Sequence, residues 1–101
     1  MKVSINVKTQ NVLDQIENLT TTYSPWLFEY ERIVDGWRFK FEKENGKTAT
    51  KTLSVKHLEK GMAKLAEESP SRFGNIVTGD SDALDADAFI QCAIFGKLVY
   101  A

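Results

Sequence analysis

Four aspartates near the C-terminus, Asp80, Asp82, Asp85 and Asp87, come closest to a chemical site, and the chemistry their type suggests is binding of a hard divalent cation. A calcium loop starting at Asp80 needs glycine at its sixth position for the sharp turn and glutamate at its twelfth as a bidentate ligand. This chain has Asp85 and Gln91 there. The aspartates have a simpler use: Asp82 caps a helix, and Asp85 and Asp87 sit in its first turn, where the helix dipole favours negative charge. No metal is expected, and the four residues stand instead as a candidate contact for a protein partner.

Nucleophilic chemistry has one possible pair. His57 and Cys92 are each the only residue of their type, so they can make no zinc site by themselves, and a thiolate would have a single candidate base. Cys92 falls in the most apolar stretch of the chain, where cysteine behaves as a small hydrophobe. Only a shared cleft bringing His57 beside Cys92 would equip the chain for thiol chemistry. The six glycines are scattered singly and form no phosphate-binding loop, nucleophile elbow or dinucleotide fingerprint. No enzyme and no cofactor are expected.

The row Trp37, Arg38, Phe39, Lys40, Phe41 has the composition of a single-strand stacking platform, with rings for bases and cations for phosphates. Alternation in a strand separates the two, however, with rings on one face and charges on the other. The rings are expected under helices. The basic residues Arg38, Lys40, Lys43, Lys47 and Lys51 are then left on an outer face as candidate nucleic-acid contacts, diluted by Glu29, Glu31, Glu42 and Glu44.

The elements that must position these residues follow from periodicity. Val3, Ile5 and Val7 alternate with polar residues as in a half-buried strand. Asn11 is a helix cap, followed by Val12, Leu13, Ile16, Leu19 and Tyr23 at helical spacing, and Thr20 to Thr22 with Ser24-Pro25 end that helix. Trp26, Phe28 and Tyr30 share one parity, as do Trp37, Phe39 and Phe41 beyond Asp35-Gly36. This predicts a hairpin with a type I′ turn at 35 and 36. That register pairs Val34 with Trp37, Arg32 with Phe39, Tyr30 with Phe41 and Phe28 with Lys43, and on the other face Glu31 with Lys40 and Ile33 with Arg38. Arg32 falls among the rings, to be resolved by a bulge near the turn or by its stem lying over a ring.

A third strand spans Thr48 to Leu53. A two-residue turn at Asn45-Gly46 would turn Leu53 outward, so a longer loop or a bulge is predicted that brings Ala49 and Leu53 inward. Ser54 caps a helix running to about Glu68, with Val55, Leu58, Met62 and Leu65 inward. A short helical turn around Arg72 to Val77 brings Phe73, Ile76 and Val77 to the core before Gly79. The last helix, from Asp82 to Gly96, is apolar nearly all round and is expected to be the most buried, and Leu98 to Tyr100 forms a short final strand. The order is β-α-β-β-β-α-α-(β), an α+β fold in which helices pack on one face of an antiparallel sheet.

With 101 residues there is room for one domain, 1–101, and 43% hydrophobic against 27% charged residues is ample for a core. One cysteine allows no internal disulfide, Met1 to Val7 is no signal peptide, and no run approaches the ~20 apolar residues of a membrane span. A cytoplasmic protein that avoids membranes is expected. The net charge of −1 argues against a general polyanion binder, yet Arg32 to Lys64 holds nine Lys or Arg against four Asp or Glu, and Leu65 to Ala101 two against six. The middle is basic and the end acidic.

Leu58, Gly61, Leu65, Ala66, Pro70 and Phe73, then Asp80, Asp82, Ala86, Asp87, Phe89, Gln91, Phe95, Gly96 and Tyr100, with the Trp26 to Tyr30 strand upstream, form a pattern. In it the chain resembles a family of small proteins encoded in bacteriophages and prophages. The resemblance covers about two thirds of the chain and implies a source, a phage accessory gene in a bacterial host, rather than a reaction. Small phage proteins without catalysis often bind and block a host machine. The resemblance therefore implies a protein-binding module, an inhibitor of a host defence complex such as an anti-CRISPR protein being one form, with a nucleic-acid-associated accessory protein as the alternative.

Overall fold

The computed structural model describes residues 12, 15–17 and 24–100. Three strands, β1 (Leu27–Ile33), β2 (Gly36–Glu42) and β3 (Thr48–Leu53), form an antiparallel sheet in the order β1-β2-β3, followed by helices α1 (Val55–Glu68), α2 (Pro70–Thr78) and α3 (Ala83–Phe95). The α+β class read from periodicity is the class found. Trp37, Phe39 and Phe41 on one sheet face are buried beneath the helices with Leu58, Met62, Leu65, Phe89 and Ile90. The strand expected over Val3 to Val7 lies outside the described residues, as does most of the helix expected after Asn11. Val12 and Gln15 to Glu17 are helical, and Val12, Gln15 and Ile16 are buried. Among the described residues no helix is long and apolar enough to cross a membrane.

The first hairpin keeps the expected faces but slips by two residues. Ile33 pairs with Gly36, Arg32 with Trp37 and Tyr30 with Phe39, so the chain turns at Val34 and Asp35, and neither has positive φ. Cross-strand charge accounts for the choice. A turn at 35 and 36 would set Glu29 against Glu42, whereas the observed register sets Glu31 against Arg38 and Glu29 against Lys40. Gly36 serves close approach instead, since a Cβ there would lie 2.1 Å from the Leu53 carbonyl oxygen. Arg32 remains on the ring face with its guanidinium 5.4 Å from the centre of the Trp37 ring, one of the two predicted resolutions. The bulge is at the far end instead, between Leu27 and Glu29; it buries Leu27 and leaves Phe28, expected in the core, 45% exposed.

Strand β3 turns its apolar residues inward, as parity predicts. Lys43 N–H donates to the Lys47 carbonyl across a loop in which Gly46 has φ of 82°, and Ala49 and Leu53 face inward opposite Phe41 and Trp37. The same register places Lys51 opposite Phe39, on the helix-covered face rather than the outer one.

Ser54 caps α1, and its partner in the capping box is His57, whose Nδ1 accepts from the Ser54 backbone N–H. Helix α2 is longer than the turn expected and buries Ile76, but Val77, also expected inside, faces outward. Helix α3 is capped by Asp82, ends at Gly96 in the left-handed conformation, and buries nearly every side chain from Asp85 to Ile94. It packs so closely on α1 that a Cβ on Gly61 would meet the Ala93 Cα and Cβ at 2.6 Å. Residues 98–100 form no strand; they run as irregular chain against α3.

Replacing glycine by alanine inside a helix normally stabilises it by about 1 kcal/mol. At Gly61 the new methyl must push α1 from α3, so Gly61→Ala is expected to lose about 1–3 kcal/mol instead. A thermal melt reads the sign directly.

Candidate functional site

The four aspartates do not act as one cluster. Asp82 takes the capping role expected of it: its Oδ1 accepts from the backbone N–H groups of Leu84 and Asp85 at 3.0 Å. Asp85 is only 2% exposed and is spent inside the protein. Its Oδ1 accepts from Arg72 Nη1 at 3.0 Å, and its Oδ2 accepts from the Asp82 backbone N–H at 3.1 Å, closing the capping box and tying α2 to the start of α3. Asp80 is exposed, and its Oδ2 accepts from the Thr78 hydroxyl at 3.2 Å. Among the described residues no group of three or more acidic, histidine or cysteine side chains could hold a metal.

Asp87 departs furthest from the sequence reading. As the fifth residue of α3 it lies past the first turn expected for it, and it points into the junction between α3 and the chain leading into β1. Its Oδ1 accepts from the Ser24 hydroxyl at 2.7 Å and from Trp26 Nε1 at 2.6 Å, and its Oδ2 accepts from Gln91 Nε2 at 2.8 Å. Gln91, one helical turn on, uses its whole hydrogen-bonding capacity. Its Oε1 accepts from the backbone N–H groups of Val99 and Tyr100, and its Nε2 also donates to the Tyr100 carbonyl. A side-chain amide thus does for residues 99 and 100 what a neighbouring strand would have done, which is why the expected final strand is absent. The Tyr100 ring stacks on Trp26 with centroids 5.7 Å apart, and its hydroxyl donates to the Glu42 carbonyl at 2.7 Å. Asp85 and Asp87 are therefore withdrawn as partner contacts; burying a carboxylate is tolerable only because such donors surround it.

The basic set is dispersed too. Arg38 and Lys40 are on the outer sheet face, but Arg38 Nη1 lies 2.6 Å from Glu31 Oε1 and Lys40 Nζ 3.6 Å from Glu29 Oε1. Both pairs are exposed and worth about 1 kcal/mol or less, yet they neutralise the face locally. Lys43 and Lys47 flank the loop between β2 and β3. Lys51 is corrected to the inner face, where its Nζ donates at 3.0 Å to the Ile94 carbonyl, one of the orphaned acceptors at the negative end of α3. The outer face expected for these five residues is not a continuous cationic surface.

His57 and Cys92 line one shallow groove of about 360 Å³ beside β3, together with Lys51, Lys60 and Ala93. Proximity does not activate the thiol. Cys92 is buried, and desolvation, with a smaller push from Glu68 against the pull of Lys64, raises its pKa from 9.0 to about 11. A nucleophilic cysteine needs the opposite shift. Among the described residues no hydrogen bond joins the two, and His57 Nδ1 is turned to Ser54. The role of His57 was legible as Ser-x-x-His, a variant of the Ser-x-x-Glu capping box; that of Gln91 had no local signal.

No protein-family model matches the chain, and no curated protein or solved structure matches it.

Asp87→Ala would leave Ser24, Trp26 and Gln91 with buried donors and no acceptor, and is expected to cost about 3 kcal/mol or more in urea unfolding, with loss of the Trp26 near-ultraviolet signal. A second expectation concerns alkaline pH. The folded state holds the Cys92 thiol neutral, so its contribution is complete below pH 9.0 and is lost as pH rises towards about 11. The unfolding free energy of Cys92→Ala, measured across that interval, should fall less steeply than that of the unaltered chain.

Proposed function

We propose that the chain is a non-catalytic accessory protein of phage or prophage origin that binds a protein of its bacterial host, in the host cytoplasm, and that a counter-defence inhibitor of the anti-CRISPR kind is the form this takes. The source rests on the resemblance carried by Leu58 to Tyr100. What supports binding over catalysis is the use made of the reactive side chains: Asp85 and Asp87 are structural acceptors, His57 completes a helix cap, and the Cys92 thiol is pushed up to about 11. The molecule spends its chemistry on its own cohesion and meets the outside with surface alone. Action on nucleic acid through the outer sheet face is the weaker alternative, because Glu31 and Glu29 already answer Arg38 and Lys40 and Lys51 lies on the other side.

Capture from lysate of a bacterial host with the tagged full-length chain should recover one protein or complex near one-to-one stoichiometry, unaffected by nuclease. Recovery of no stoichiometric partner, or of a partner that nuclease releases, would overturn this reading.

A further inference from the structure

Strand β3 lies at an edge of the sheet among the described residues. The Lys43 N–H to Lys47 carbonyl bond, 2.8 Å long, sets the phase of the ladder. Ala49, Lys51 and Leu53 exchange backbone bonds with Phe41, Phe39 and Trp37, and the alternation of an antiparallel pair turns the N–H and C=O groups of Thr48, Thr50 and Thr52 away from β2. Two shallow grooves run along this edge and meet at Lys51. One, of about 440 Å³, has Ala49, Ile94 and Phe95 in its wall; the other, of about 360 Å³, has Leu53, Gly61 and Ala93. A row of backbone groups unpaired among the described residues, with an apolar trough beside it, has the form of the surfaces that accept an added strand.

The charges around the edge say what kind of strand fits. Lys43 and Lys47 stand at its start, Lys51 in its middle and Lys60 at the far groove, and among the described residues Lys43, Lys47 and Lys60 carry no ion pair. The acidic residue nearest the first groove, Glu44, is already held by Lys97 at 3.4 Å. A second copy of β3 would gather two sets of Lys47 and Lys51 along one seam with no acid among residues 47–53 to answer them, and the chain's own residues 2–8 offer Lys2 and Lys8 and no acid. We propose that the outer edge of β3 is the docking site of this protein, and that its occupant is an extended acidic segment of a partner protein, added to the sheet as a fourth strand with its carboxylates against Lys47, Lys51 and Lys60. The inference rests on the protein-binding reading and names its surface.

An end-blocked eight-residue peptide of alternating glutamate and valine serves as probe, titrated into the ¹⁵N-labelled full chain at low salt, with the glutamine–valine peptide as control. The glutamate peptide should bind at least tenfold more tightly, shift the Thr48, Thr50 and Thr52 amides, and weaken as salt is raised. Thr50→Pro removes an outward N–H without touching the bonds to β2 and should lose at least tenfold in affinity. Lys47→Glu with Lys60→Glu, two surface changes that leave the core intact, should do the same. Equal binding of the glutamine peptide, or undiminished binding by Thr50→Pro, would overturn the proposal. So would Thr50 and Thr52 amides already protected from hydrogen exchange in the free chain, a concentration-dependent dimer abolished by Thr50→Pro, or tighter binding of a single-stranded oligonucleotide than of the peptide. If Thr50→Pro captures the same host protein as the unaltered chain, the edge falls and the protein-binding reading stands. If the peptide seats on the edge but no host protein is ever captured, the reading of function falls and the edge stands.

Discussion

One buried carboxylate holds three separate stretches of chain together. Asp87 accepts from Ser24 and Trp26, which lead into the sheet, and from Gln91, which in turn holds residues 99 and 100. Burial of a carboxylate is costly unless donors surround it, and here two of its three donors come from residues more than sixty positions away. The penalty for partial satisfaction makes the arrangement close to all-or-none: α3 must lie across the start of β1, and the tail must fold back on α3, for the donors and acceptors to meet. The ring contacts follow from that placement. Trp26 is fixed through its N–H, so Tyr100 stacks on it and Phe95 wedges between Trp26 and Phe41. The hydrophobic effect supplies most of the stabilisation, and the carboxylate selects which of many apolar packings is adopted.

The same economy governs the charges. Asp85 is absorbed by Arg72 and the cap of α3, Arg38 and Lys40 by the glutamates across the hairpin, and Lys51 by the C-terminal carbonyl of α3. What remains unanswered is not spread evenly. Among the described residues Lys43, Lys47 and Lys60 stand about β3 without an ion pair, while Lys56, also without one, lies apart at the start of α1, so the charge asymmetry of the sequence, a basic middle and an acidic end, survives folding only in part. Of the six acids in its acidic half, Asp85 and Asp87 are internalised and the other four stay exposed.

Much of this was legible in the residue pattern where period and parity decide. The three sheet strands from Leu27 to Leu53, the caps Ser54 and Asp82, the burial of α3 and the inward turn of Ala49 and Leu53 all follow from which side chains must share a face. The hairpin register was harder, because a slip of two residues preserves every face; turn preference favoured Asp35-Gly36, and the pairing of Glu29 and Glu31 with Lys40 and Arg38 outweighed it. Phe28 was lost to a bulge and Val77 to the rotation of a helix one turn longer than its apolar signal. Asp85 was legible as a first-turn acid supporting the Asp82 cap, but its bond to Arg72 and the setting of Asp87 and Gln91 were not, since an aspartate near a helix start looks the same whether it faces water or the Trp26 indole. Their partners are set by tertiary contact and leave no local period.

Many residues of the pattern that runs from Leu58 to Tyr100 have a structural use. Asp87, Gln91 and Tyr100 are the network, Phe95 and Trp26 its rings, Gly61 the close crossing of α1 over α3, Asp82 the cap and Gly96 the left-handed end of α3. Each is a position where folding leaves little choice of side chain. Thr48, Thr50, Thr52, Lys47 and Lys60 belong to none of these constraints: they are exposed and take no part in the carboxylate network. A pattern composed of the first group specifies a scaffold and is silent about activity for that reason, while the identity of a partner would be written in the second.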